Sequence, residues 1–100
     1  MIKHIVFFNL AEEAEGRTAE QNAREIKRQL EALNGKFPGL VRLEVGIDFS
    51  KTDSSADIAL YSEFADRAAL DFYLRHPLHL DIAEYVAKLR TARYLVDYEV

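Results

Sequence analysis

Four side chains in this sequence are suited to moving a proton: His4, Tyr73, His76 and His79. An imidazole titrates near neutrality, so it can take a proton from a substrate and return it, and a phenol can orient that base or hydrogen-bond a carbonyl. The run His76-Pro77-Leu78-His79 is the most informative. Proline has no amide proton to lose and fits the first turn of a helix, so His79 is expected in that turn, near the positive end of the helix dipole. An imidazole held there stays neutral and can act as a general base for enolisation, with the Tyr73 hydroxyl as its partner. His4 shares a strand face with Val6 and Phe8 and is expected to point into a core or an apolar pocket. Each residue also has a structural reading. His79 would cap the helix or bond a buried carbonyl, His4 would be a satisfied core histidine, His76 would cap the helix junction, and Tyr73 would pack beside Ala69 and Leu70.

Other chemistries find little support. The chain has no cysteine, which excludes disulfides, thiolate nucleophiles and cysteine-held zinc or iron–sulfur clusters and is compatible with any compartment. No His-Glu-x-x-His pattern, acidic calcium loop or glycine-rich phosphate cradle occurs, and the histidine spacing is poor for zinc, so neither a metal nor a cofactor is expected. Ser54-Ser55 lacks the histidine and acid of a serine hydrolase. A net charge of −4 opposes capture of nucleic acid or anionic lipid. The apolar start is interrupted by Lys3, His4 and Asn9 and is too short for a signal core or a membrane span, so a cytoplasmic protein is expected.

The elements that must position these residues follow from periodicity. With 100 residues, 49% of them hydrophobic and 30% charged, the chain reads as one globular domain over 1–100, small enough that association would add to its core. Residues 2–10, rich in Ile, Val and Phe, form a strand. Thr18 and Gln21 have the spacing of a capping box, and Ala19, Ala23, Ile26, Leu30 and Leu33 continue it as a helix, closed by Asn34-Gly35. Residues 40–47 alternate as a half-buried strand, 48–56 read as a polar loop, and 57–64 as a further strand. Asp66 caps a helix that Pro77 stops or kinks, a second helical segment carries Ile82, Tyr85, Val86 and Leu89, and 92–100 is the last strand. The order β-α-β-β-α-β is the ferredoxin-like α+β arrangement, a four-stranded antiparallel sheet with helices on one face.

Those helices cover one face only, yet both faces look apolar: Ile5 and Phe7 oppose His4, Val6 and Phe8, and Ala59 and Tyr61 oppose Ile58 and Leu60. A second copy of the chain, packed sheet to sheet, is the expected cover, which makes the chain its own partner.

Met1-Ile-Lys-His-Ile-Val6, Pro38-Gly39 before Leu43-Glu-Val-Gly46, Ser62-Glu-Phe64, His76-Pro-Leu-His79 and Val96-Asp-Tyr98 together resemble the stress-responsive A/B barrel domain (Dabb) family, within the dimeric α/β-barrel superfamily. The resemblance implies two ferredoxin-like subunits with a barrel between their sheets. It also implies a choice between a domain that assembles or binds a small apolar or aromatic ligand and a cofactor-independent enzyme of the polyketide cyclase or monooxygenase type. The cyclase pattern of a histidine and a tyrosine in a pocket between sheet and helices falls on His4, Tyr73 and His79. A further histidine of that type is absent here, where Asp57-Ile58 stands instead.

Overall fold

The computed structural model describes residues 1–100. Its elements are β1 (Ile2–Leu10), β2 (Glu13–Ala14), β3 (Arg17–Thr18), α1 (Ala19–Glu31), β4 (Leu40–Ile47), β5 (Ile58–Phe64), α2 (Arg67–Arg75), α3 (Pro77–Ala87) and β6 (Arg90–Glu99). The four long strands make one antiparallel sheet in the order β4-β5-β1-β6, the ferredoxin-like α+β topology. The first and last strands thus lie side by side at its centre and one edge.

Local rules explain most boundaries. Thr18 closes the expected capping box, its hydroxyl accepting from the Gln21 amide at 3.2 Å while the Gln21 side chain accepts from the Thr18 amide at 3.0 Å. Past α1, the Asn34 side chain donates to the Leu43 carbonyl at 2.8 Å and accepts from the Leu43 amide at 2.9 Å, tying the helix exit to the edge strand β4. Gly39 has φ +82°, and a Cβ there would lie 2.5 Å from the Ala69 side chain. Only glycine therefore lets the turn before β4 pass under α2.

Three stretches differ from expectation. α1 ends at Glu31 with Ala32 as its C-cap, so Leu33 and Asn34-Gly35 lie in the turns beyond it rather than in and at the close of the helix, Asn34 being drawn off to Leu43. The polar segment after β1 is a small hairpin, β2 and β3, turned by Glu15 and Gly16 at positive φ. The last strand begins at Arg90 rather than Ala92, because the chain leaves α3 with Leu89 buried and pairs Arg90 with Leu10 at once.

The core lies between the helices and one face of the sheet. Ile2, Val6 and Phe8 of β1 with Ile58, Leu60 and Phe64 of β5 pack there against Ile26 and Leu30 of α1, Tyr73 of α2 and Val86 of α3. On the opposite face, Phe7 is 40%, Tyr94 68% and Val96 54% exposed. Strand register pairs Phe7 with Tyr94 and Ile5 with Val96, so these side chains form one apolar patch. Toward β4 the same face is polar, with an Arg42–Glu44 ion pair at 2.6 Å beside a cluster around Lys3. The Lys3 ammonium donates to the Tyr61 hydroxyl at 2.5 Å and to Glu63 at 2.6 Å, and Glu63 and Tyr61 push its pKa up to about 12.

Candidate active site

A cavity of about 220 Å3 opens between β1, α3 and the start of β6. Val6, Phe8, Leu60 and Val86 supply apolar wall, and His4 and His79 both line it. His79 stands in the first turn of α3, where the sequence places it, behind Pro77 at the helix start. Its Nδ1 lies 3.1 Å from the carbonyl oxygen of Leu74, one of the acceptors that α2 leaves unpaired at its C-terminal end. A carbonyl only accepts, so Nδ1 carries the proton and Nε2 keeps a lone pair. Burial lowers the pKa of His79, and the nearby His4 and Arg93 act in the same direction, against the opposing Leu74 carbonyl. His79 is therefore a neutral imidazole at pH 7, with its basic nitrogen unclaimed.

His4, only 2% exposed, is fixed from two sides. Antiparallel register sets it directly opposite Asp97 of β6, and its Nδ1 lies 2.5 Å from the Asp97 carboxylate. The carboxylate accepts, so here too Nδ1 holds the proton and Nε2 is left over. The Ser62 hydroxyl donates to the His4 carbonyl at 2.9 Å and braces the strand behind it. A carboxylate on one ring nitrogen fixes the tautomer and the ring orientation.

Tyr73 is fully buried behind His79, with ring centroids 4.6 Å apart. It also packs on Phe37 at 5.2 Å and Phe64 at 5.1 Å. Its hydroxyl has no hydrogen-bond partner, and burial raises its pKa. Tyr73 backs the cavity without lining it. His76 stands apart as the N-cap of α3, its Nδ1 accepting from the Leu78 amide at 3.1 Å and its ring 4.9 Å from that of Phe37. No group of three or more His, Cys, Asp or Glu side chains is disposed to hold a metal ion, and no helix is long and apolar enough to cross a membrane.

The sequence model of the stress-responsive A/B barrel domain matches residues 2–100. The chain belongs to that family. A dimeric ferredoxin-like protein of unknown function from Bacteroides fragilis is 32% identical, with a TM-score of 0.83 over 99% of this chain and 95% of its own. A dimeric ferredoxin-like protein of unknown function from Jannaschia is 30% identical, with a TM-score of 0.74 over 99% and 98%. The hydroxynitrile lyase of Passiflora edulis shares the fold at 16% identity and a TM-score of 0.78, over 99% and 92%. No curated protein matches the chain.

Within this A/B barrel chain the structure brings His4 and His79 to one cavity, sets Tyr73 behind it and leaves His76 outside. Asp97, Arg90 and Arg93 were not singled out by residue type. A signal for two of them existed: Arg93, Leu95 and Asp97 share one parity of the last strand, and a ferredoxin-like sheet pairs that strand with the first. Counting the register would have set Asp97 against His4.

Proposed function

We propose that this protein is a homodimer whose subunits each take a small apolar or aromatic molecule into the cavity between sheet and α3, and that His79, seconded by His4, transfers a proton on a carbonyl-containing ligand there. The observation that carries the reading is the pair of imidazoles on one mostly apolar cavity, each with Nδ1–H committed to a protein acceptor and Nε2 left over. His79, kept neutral, is the base, and His4, backed by Asp97, stores or returns the proton. Side chains alone suffice for such chemistry, which fits the absence of any cofactor motif in the sequence. Tyr73 serves as a positioning residue whose ring fixes His79; a direct bond from its hydroxyl to the ligand carbonyl would need the cavity to extend behind His79. That a relative by fold is a hydroxynitrile lyase is in keeping with acid/base work on small molecules.

The second reading is a binding domain without chemistry. It is favoured by the His79–Leu74 bond, which is also a way of satisfying a helix end. The two separate in deuterium oxide: exchange of the α-protons of small aryl ketones such as acetophenone is followed by NMR. Wild type is expected to exceed the buffer rate, with His79→Gln losing about 100-fold or more of the excess and Asp97→Asn about tenfold. Exchange at the buffer rate, with ketones perturbing the cavity methyl signals, would leave the binding reading.

A further inference from the structure

We infer that the cavity selects a carboxylate: a monoanionic acid with a one-ring or similarly compact apolar body, its charge met by Arg90 and Arg93. This rests on the cavity being a ligand site, as proposed above. Arg90 and Arg93 are three apart, and in a regular strand such residues point to opposite faces. Here the register slips between Asn9 and Leu10: Ala92 pairs with Asn9 but Arg90, not Thr91, pairs with Leu10. Thr91 is skipped, and both guanidiniums come to the helix-covered side, where both line the cavity.

Their electrostatic setting is equally specific. The chain carries a net charge of −4, yet no acidic residue lines this cavity and its four titratable lining residues are His4, His79, Arg90 and Arg93. Asp97 is taken up by the outer ring nitrogen of His4 and is not on the wall. Of the six other arginines, five, at 24, 28, 42, 67 and 75, each pair with a carboxylate; Arg17 on the far hairpin shares the lack of a partner with Arg90 and Arg93, but only the latter two line the cavity. Two unpaired guanidiniums at an apolar cavity present forked donors that match a carboxylate. Size narrows the body: an apolar cavity of about 150 Å3 holds benzene, and this one measures about 220 Å3, room for a single substituted ring.

The test titrates methyl-labelled protein with benzoate and with its neutral isostere benzamide, reading the Val6, Ile82 and Val86 methyl signals. Benzoate is expected to bind roughly fivefold to tenfold tighter at low salt, with an advantage that shrinks as salt is raised. Arg90→Gln with Arg93→Gln should abolish the advantage and leave benzamide affinity unchanged. Arg75→Gln, away from the cavity, should change neither. Benzamide binding as tightly as benzoate, or a benzoate preference that survives the double substitution, overturns the carboxylate inference while the cavity reading stands. If neither compound moves these signals, the cavity reading falls and this inference with it.

Discussion

Along β1, Ile2, His4, Val6 and Phe8 lie under the helices, while Ile5 and Phe7 lie on the face that no helix covers. The covered residues and their neighbours on β5 are nearly all closed to water, but Phe7, Tyr94 and Val96 across the open face stay between 40% and 68% exposed. Residue by residue these two sets are comparably apolar, although the open face also carries Lys3, Glu63, Arg42 and Glu44 toward β4. One face has found its solvent within the chain, and in the proposed homodimer the other finds it on a second copy, so that one alternation would serve a core on one side and a contact between chains on the other. The difference also bears on the proposed site. The covered face is where polar groups can be held dry, and that is where His4 and His79 are found.

The comparison breaks most sharply in the core. Phe64, fully buried against Tyr73, is expected to cost about 3–5 kcal/mol when cut to alanine, a large part of the roughly 5–15 kcal/mol of a typical domain. Denaturant unfolding measures it, and a loss under about 1 kcal/mol would mean the face is loosely packed. On the open face, Val96→Asp should leave the fold of the subunit intact but weaken the proposed dimer by on the order of 100-fold, since a charge would be desolvated at the contact it is expected to make. A concentration series by gel filtration reads it; no change would remove Val96 from the interface.

Smaller effects sharpen the account within the covered face. Because the folded state depresses the pKa of His79 below its ordinary 6.5, the unfolded chain binds that proton more readily. Stability should therefore decline as pH falls through the ordinary value of 6.5 toward the lower folded-state one, and His79→Gln should flatten that slope. Glu25, held down to about 2 by Arg28, and Glu31, held down by Lys27, are depressed from an ordinary 4.5, so their contributions fade only in a more acidic range. Urea midpoints across pH separate the two windows. Smallest is Tyr73→Phe. The hydroxyl is buried without a partner, so its removal should leave stability unchanged or raise it by up to ~1 kcal/mol. A clear loss of proton exchange in that variant, with stability kept, would give the hydroxyl the ligand contact that the geometry withholds.

What was legible in the sequence was what local rules determine. The spans 2–10 and 40–47, the Thr18–Gln21 capping box and the break at Pro77 rest on periodicity, cap chemistry and a missing amide proton, and each holds in the structure. The hairpin at Glu13–Thr18 was hidden because its strands are short and polar and its turn depends on Glu15 at φ 53°. The start of β6 was hidden because Lys88-Leu89-Arg90 continues the helical pattern, and pairing with β1 decides otherwise. Of the site, the imidazoles were visible by type and face. The Asp97 partner needed the register, and the convergence of Arg90 and Arg93 depended on a strand irregularity that no local pattern announces. The buried Tyr73 ring followed from its helical stripe, but its hydroxyl staying off the cavity depends on packing against Phe37, Phe64 and His79 that the stripe does not specify.

The claim that one sheet serves two kinds of contact is tested most directly by sedimentation equilibrium of the wild-type protein at micromolar concentration. The account predicts a species of two chains that persists on dilution through that range. A stable single chain, with Phe7, Tyr94 and Val96 left in water, would contradict it.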